Sequence, residues 1–193
     1  MKQLILIRHT TTLTEPGFCH GGGSEIPLAA TFEAEAEILG SQLPPQIDHF
    51  HTSPLRRCQD LAQRLQPHAA WQIDTRLAEI HFGEWENQLW ANLAGPQLDA
   101  WMADFVNIRA PGGESTREVA IRVQPFLDEL EMGTHLAITH GGVIRIILAT
   151  VLGLPMENLF QIEIPFGGVV KILWNHQRWI LQEILRPLPT LLT

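Results

Sequence analysis

The sequence predicts an α/β fold: a three-layer α/β/α sandwich built on a mostly parallel sheet. Three observations predict it. Leu4-Ile5-Leu6-Ile7 and Leu136-Ala137-Ile138 are short, unbroken apolar runs, the pattern of strands buried on both faces. Segments of helical periodicity alternate with such runs along the chain. The 193 residues are 45% hydrophobic and 18% charged, enough to fill one core.

Taken in order, the run at 4–7 ends abruptly at Arg8-His9-Thr10-Thr11-Thr12. A loop follows, with Pro16, Gly17 and Gly21-Gly22-Gly23. Thr31 is expected to cap a helix that carries Glu33 and Glu35 near its positive end and stops near Gly40. Pro44-Pro45 separates it from a second strand at about 47–51. Ser53-Pro54 is expected to open the next helix, a hydroxyl cap followed by a first-turn proline. Leu55, Cys58, Leu61, Ala62 and Leu65 then share one face. Residues 71–73 suit a short strand.

Residues 84–113 differ in texture. They hold Trp85, Trp90 and Trp101, broken by Gly95-Pro96 and Pro111-Gly112-Gly113, and read as short helices forming a small cap. Ser115-Thr116-Arg117-Glu118 fits a capping box. Val119, Val123, Phe126, Leu127 and Leu130 continue that helix, which Pro125 should kink. After the strand at 136–138 comes Thr139-His140-Gly141-Gly142, then an apolar helix to about Leu152, stopped by Gly153 and Pro155. Strands are expected at 159–164, 169–174 and 179–184, with turns at Gly167-Gly168 and Asn175-His176. The whole, residues 1–193, reads as one domain with the helical cap at about 84–113.

Composition excludes some roles. A formal net charge of −8, with no basic run of five or more residues, argues against a nucleic-acid binder and against polybasic membrane attachment. A local arginine cluster can still set the field of one cleft. The apolar stretch at 146–156 is too short to span a bilayer. The amino terminus has no apolar leader pattern. Cys19 and Cys58 form no CxxC pair, so no disulfide framework is implied and a cytoplasmic setting is expected.

In doubly wound sheets, ligands sit beyond the carboxyl ends of the strands. That rule selects Arg8-His9, Ser53 to Arg57 and Thr139-His140 together. Paired histidines and arginines suit a phosphate monoester, a dianion whose charge stays on its equatorial oxygens through transfer. Arg8 and one of Arg56 or Arg57 can hold those oxygens with planar, charge-assisted bonds. A neutral imidazole can attack phosphorus, and a carboxylic acid such as Glu79 can protonate the leaving alkoxide.

Leu6-Ile7-Arg8-His9-Thr10 resembles the arginine-histidine signature of the histidine phosphatase superfamily, which includes phosphoglycerate mutase. Ser53-Pro54-Leu55-Arg56-Arg57 is similar to its second arginine motif, Ser-Pro-Leu-x-Arg. Leu77 to Gly83 with Glu84-Trp85-Glu86, Gly113-Glu114-Ser115 and Thr139-His140-Gly141-Gly142 match further family segments in the family's order. The resemblance implies that His9 is the phosphorylated nucleophile. It implies that Arg8, Arg57 and His140 form the phosphate pocket, and that Glu79 is the proton donor. Its motif spacing selects Arg57 over Arg56. No metal and no cofactor are implied.

Pro16-Gly17-Phe18-Cys19-His20-Gly21 and Ile26-Pro27-Leu28 look like the early loop of the α-ribazole phosphatase branch, which usually has tyrosine where His20 stands. On that resemblance His20 and Gly21 join the substrate-binding set, as does Gly141 of the Thr139-His140-Gly141-Gly142 segment. A small phosphomonoester is the expected partner, with α-ribazole 5′-phosphate of cobalamin biosynthesis the first to try and a homodimer admissible. A mutase, a phospho-ligand-binding module without turnover and a zinc protein built on the histidines are the competing readings.

Several residues have two uses. Trp85, Trp90 and Trp101 either fill the cap or stack on substrate. His49 and His51 share one side of a strand and read as ordinary strand-end histidines more readily than as a metal pair. Gly21 to Gly23 reads as a flexible mouth loop or as a phosphate nest. Arg56 suits a solvated or ion-paired position, and His81 and Glu84 suit either the border of the cleft or a supporting or solvated position. Cys58 suits an inert core thiol, while Cys19, in a loop, is open to reaction.

Overall fold

In the computed structural model of the chain, which describes residues 1–186, strand β1 (Lys2–Arg8) is buried along its apolar run. Successive side chains of a strand point to opposite faces. Leu4 and Leu6 therefore join one apolar cluster, while Ile5 and Ile7 join another. Each of these side chains is at most 1% exposed. Burial on this scale stabilises by roughly 1.5–3 kcal/mol per residue.

The elements that follow are α1 (Phe32–Gln42), β2 (His49–Thr52), α2 (Arg56–Leu65) and β3 (Gln72–Ile73). Next come α3 (Pro96–Ala103), α4 (Thr116–Glu129), β4 (Gly133–Thr139) and α5 (Gly141–Leu152). The hairpin β5 (Val169–Trp174) and β6 (Trp179–Leu185) ends the described chain. The sheet order is β3-β2-β4-β1-β5-β6. The first four of these run parallel, and β5 and β6 are antiparallel. Helices α4 and α5 cover the Leu4 face. The opposite face is covered by α1 and α2. This is the mostly parallel α/β/α sandwich expected from the strand patterns.

Three local expectations fail for identifiable reasons. Thr31 does not cap α1 with its side chain. Its hydroxyl donates to Glu35 Oε1 at 2.6 Å, and α1 continues past Gly40 to Gln42. Ser53-Pro54 does not begin α2, which starts at Arg56. Ser53 Oγ instead lies 2.7 Å from His140 Nε2, and the Arg56 backbone N–H donates to the Glu25 carboxylate at 3.1 Å. Residues 159–164 do not form a strand, because Met156–Gln161 is a 3₁₀ helix and Arg145 Nε donates to the Ile162 carbonyl at 2.7 Å.

Other signals fold as read. Ser115 and Glu118 complete both halves of the capping box. Pro125 lies inside α4. Gly153 takes the left-handed conformation (φ 66°) that ends α5. Between Gly83 and Ala103 the chain forms 3₁₀ helices Gly83–Trp85 and Trp90–Leu93, then α3. Trp85 and Trp101 are buried together there with Cys19 and Ala110. Among the described residues, no helix is long and apolar enough to cross a membrane.

Candidate active site

Parallel pairing of β1 with β4 runs in register to Arg8 opposite Thr139. The two chains leave the sheet side by side, and His9 N donates to the Thr139 carbonyl at 3.0 Å. His9 and His140 therefore meet edge to face, with ring centroids 5.1 Å apart. β2 flanks β4 on the other side, and Ser53 N donates to the Ile138 carbonyl at 2.9 Å, which brings the start of α2 and Arg57 to the same end. Glu79 arrives from the segment after β3. That segment is tied to β4 where Thr139 Oγ1 donates to the Leu77 carbonyl at 2.6 Å.

The His9 ring is 5% exposed. Its Nδ1 is 2.9 Å from the Thr10 carbonyl oxygen. A carbonyl only accepts, so Nδ1 carries the hydrogen and Nε2 keeps its lone pair. Burial pushes the ring down to about 3, aided by the positive charges of Arg57 and Arg8. His9 is thus neutral at any ordinary pH.

Arg57 is 3% exposed and donates from Nη1 to the Ser24 carbonyl at 2.7 Å and from Nη2 to the Gly21 carbonyl at 3.3 Å. Arg8 donates from Nη1 to the Ile164 carbonyl at 2.6 Å and lies over the Phe166 ring, 3.8 Å from its centroid. Its Nε is buried without a partner. Burial lowers Arg8 to about 10, against the pull of Glu79. Neither Arg8 nor Arg57 forms an ion pair among the described residues. Arg8, His9, Arg57 and Glu79 line one hollow of about 220 Å³, with His20, Trp90 and Phe166 also on its wall. One buried and one half-buried guanidinium, bonded to carbonyls and with no carboxylate in ion-pair contact, make an anion site.

His140 is fully buried and sits behind His9, with Nε2 facing Ser53 Oγ and Cys58 Sγ 3.5 Å away. Burial, then the charges of His9, Arg57 and Arg8, hold it well below the usual histidine range. Gly141 lies against the Arg8 guanidinium. Gly21 is packed so closely on the Ile80 carbonyl and Phe82 that a Cβ would collide with them. The glycine run is neither a loose mouth nor a phosphate nest. Gly22 N donates to the Ile80 carbonyl at 2.8 Å and Gly23 N to Glu86 Oε1 at 3.0 Å, so those N–H groups are already used.

Of the residues with two readings, Trp85 and Trp101 pack inside, while Trp90 reaches the hollow. Cys19 is buried, and burial pushes its thiol up to about 12, which removes it as a reactive loop cysteine. Cys58 is buried too, with its thiol pushed upward. Arg56 is exposed and pairs with Asp60 at 3.7 Å. His49 and His51 meet His135 rather than a ligand set, with His51 Nε2 3.1 Å from His135 Nδ1. Among the described residues, no group of three or more His, Cys, Asp or Glu side chains is arranged to hold a metal ion. A cavity of about 480 Å³ lies beside Lys2, at the opposite end of β1 from His9.

Four residues have supporting roles that the sequence reading did not assign. Glu86 accepts from Gly23 N and Phe82 N at 3.0 and 2.9 Å and bonds the Ser24 hydroxyl, tying the early loop to the segment after Glu79. Arg122 donates to the carbonyls of Arg76, Ala78 and Glu79 at 2.5, 2.8 and 3.2 Å, which fixes the backbone beneath the Glu79 carboxylate. Phe166 stacks under Arg8. Ser53 holds His140. Ser53 and Glu86 stand in segments the sequence singled out and Phe166 stands before the Gly167-Gly168 turn, whereas Arg122 carried no signal; all but Phe166 act through hydrogen bonds across the fold.

Comparison with known proteins agrees with this fold. The family model for the histidine phosphatase superfamily (branch 1) matches residues 4–185. A protein named probable phosphoglycerate mutase GpmB, from Yersinia enterocolitica, is 32% identical over 191 residues, 93% of this chain and 88% of that protein. The crystal structure of the α-ribazole phosphatase from Shigella flexneri superposes with a TM-score of 0.86 at 26% identity, covering 93% of this chain and 94% of that one. The mycobacterial glucosyl-3-phosphoglycerate phosphatase, solved with VO3, gives a TM-score of 0.78 at 28% identity over 94% and 98% of the two chains.

Proposed function

The chain belongs to the histidine phosphatase superfamily, and from that membership we propose that it is a phosphomonoester hydrolase working through phosphohistidine at His9. One observation carries the proposal. The His9 ring is neutral, with Nδ1–H spent on the Thr10 carbonyl and Nε2 available beside two guanidinium groups that have no carboxylate partner.

In this reading Arg8 and Arg57 hold the equatorial oxygens, while His140, fully buried and bonded to Ser53, backs the His9 ring without lining the hollow. Nε2 of His9 attacks phosphorus, forming an N–P bond as the P–O bond to the alcohol breaks. The protonated Glu79 carboxyl gives its proton to the departing alkoxide. Water then attacks phosphorus, the N–P bond breaks with its electron pair returning to His9, and Glu79 takes the proton from that water. The products are alcohol and inorganic phosphate. The positive charge comes from the protein's own arginines, so the reaction as written uses no metal.

Small phosphomonoesters are the substrate class, and α-ribazole 5′-phosphate of cobalamin biosynthesis is the first to try. Support for it is the likeness to the Shigella flexneri enzyme and the early loop carrying His20 and Gly21. The test is kcat/KM over a phosphomonoester panel with EDTA present, joined to acid quench. Phosphate should be trapped on His9, and His9→Ala should abolish turnover. Glu79→Gln should slow it by about 10²–10⁴-fold. Full activity in His9→Ala removes the mechanism, and loss of activity with EDTA removes its metal independence.

A mutase is the second reading, favoured by the 32% identity to the Yersinia protein. The partition of phosphoryl groups between water and an added hydroxyl acceptor separates the two.

A further inference from the structure

The phosphate hollow accounts for one end of a phosphomonoester, and a second hollow lies across Glu79 from it. This one, about 160 Å³, is lined by Glu79 and Gly142 at its inner end and by Trp101, Phe105, Phe160 and Arg145 further out. The two hollows share Glu79 and little else. Each alone is smaller than the roughly 300–1,000 Å³ usual for a ligand site. Glu79 is the one residue common to both walls.

We propose that this second hollow receives the leaving alcohol and selects alcohols that carry an aromatic ring. The inference rests on the phosphatase reading and goes on to name the substrate class.

Geometry supplies the first argument. The donor must touch the oxygen that joins phosphorus to the leaving group, so that group lies within one bond of the Glu79 carboxyl. Glu79 Oε2 accepts from Gly142 N at 3.3 Å, and Gly142 is on the wall of the second hollow. A third hollow also touches Glu79, but on the side of its backbone carbonyl, where Arg122 Nη2 already sits at 3.2 Å.

Chemistry supplies the second. Trp101, Phe105 and Phe160 form a staircase of rings with centroids 6.0 and 5.0 Å apart. The inner ring is buried, whereas Phe160 is 68% exposed. An aromatic row that begins in the core and ends uncovered at the rim offers a face to one more ring. Arg145 gives the hollow a polar edge. Its Nε is held by the Ile162 carbonyl at 2.7 Å, and it forms no ion pair among the described residues. Its guanidinium plane is left to stack on a ring or meet an acceptor on it.

The test compares 2-phenylethyl phosphate with ethyl phosphate, whose leaving oxygens are alike and whose bodies differ by one ring. In the intact protein, kcat/KM should favour the phenyl ester by about ten- to hundredfold, the scale of burying one phenyl group. In Phe160→Ala and Phe105→Ala that ratio should fall about fivefold or more. Because both esters are read on one preparation, partial unfolding lowers both rates and leaves the ratio alone. A ratio near one in the intact protein, or the same ratio in both variants, overturns the proposal. If neither ester is hydrolysed, the phosphatase reading stands or falls on the panel and the acid quench. The subsite is then read by calorimetric binding of the two esters, where tighter binding of the phenyl ester supports it and equal binding overturns it.

Discussion

Gly142 lies directly beneath the Glu79 carboxylate. Its N–H donates to Oε2 at 3.3 Å, and a side chain at 142 would run into Oε1. Gly142 is the second residue of α5, where an alanine has no backbone penalty and gains about 0.5–1 kcal/mol in helix preference. Gly142→Ala should therefore leave the melting temperature unchanged or raised while displacing the acid. Turnover should drop by about 10²-fold, the cost of an ångström-scale misplacement. Unchanged kcat would show that Glu79 is not needed in this position.

Arg57 shares its two terminal nitrogens between the carbonyls of Ser24 and Gly21 and the anion hollow. Lysine keeps the charge but loses the planar fork. Arg57→Lys should lower kcat/KM by about 10²–10³-fold, as when a single preorganised donor is removed from a charge-stabilising site. Its exposed neighbour is the control. Arg56→Lys, at a surface pair with Asp60, should stay within about twofold of the parent. Equal losses at the two positions would contradict the assignment of Arg57.

The buried neutral His9 ring predicts a direction for acid unfolding. Its value falls from 6.5 to about 3 on folding, through burial and then the Arg57 charge. Between those values the unfolded chain binds the extra proton and the folded one does not. The stability held by the neutral ring is complete above about 6.5 and is lost as pH falls towards 3. The slope is at most about 1.4 kcal/mol per pH unit for this one group. His9→Asn should flatten the decline of melting temperature between pH 6 and 4, and an unaltered slope would remove His9 as its source. For the same reason His9 should impose no acid limb on kcat/KM above about pH 4, about one unit above its folded value.

Glu86 has a side chain only 5% exposed and holds the early loop through Gly23, Ser24 and Phe82. Glu86→Ala strands those donors and should cost about 1–3 kcal/mol of stability in chemical denaturation. The loop carries both carbonyls that hold Arg57, so KM for phosphate esters should rise as well. A stable variant with unchanged KM would separate the loop from the anion site.

Strand ends were readable from sequence because burial on both faces leaves an unbroken apolar run that stops where polar chemistry begins. That is how Arg8, His9 and His140 stood out. The capping box at Ser115 and Glu118 was equally local. Thr31 and Ser53 misled for the converse reason. Each is a good cap by local rule, but Glu35 takes one hydroxyl and His140 the other. His140 lies 87 residues from Ser53. Residues 159–164 were apolar enough for a strand, but 159–161 belong to the 3₁₀ helix Met156–Gln161, and Leu159 and Ile164 pack into the cluster that holds α5.

The chain's local chemistry settled the order of strands and helices and the identity of the residues at their ends. Tertiary structure alone decided which of those ends meet, because adjacency in a parallel sheet is set by strand order and register rather than by sequence distance. The pairing of Arg8 with Thr139 sets His9 against His140. Long-range hydrogen bonds then chose the roles of Glu86, Arg122 and Ser53, which no spacing along the chain could assign.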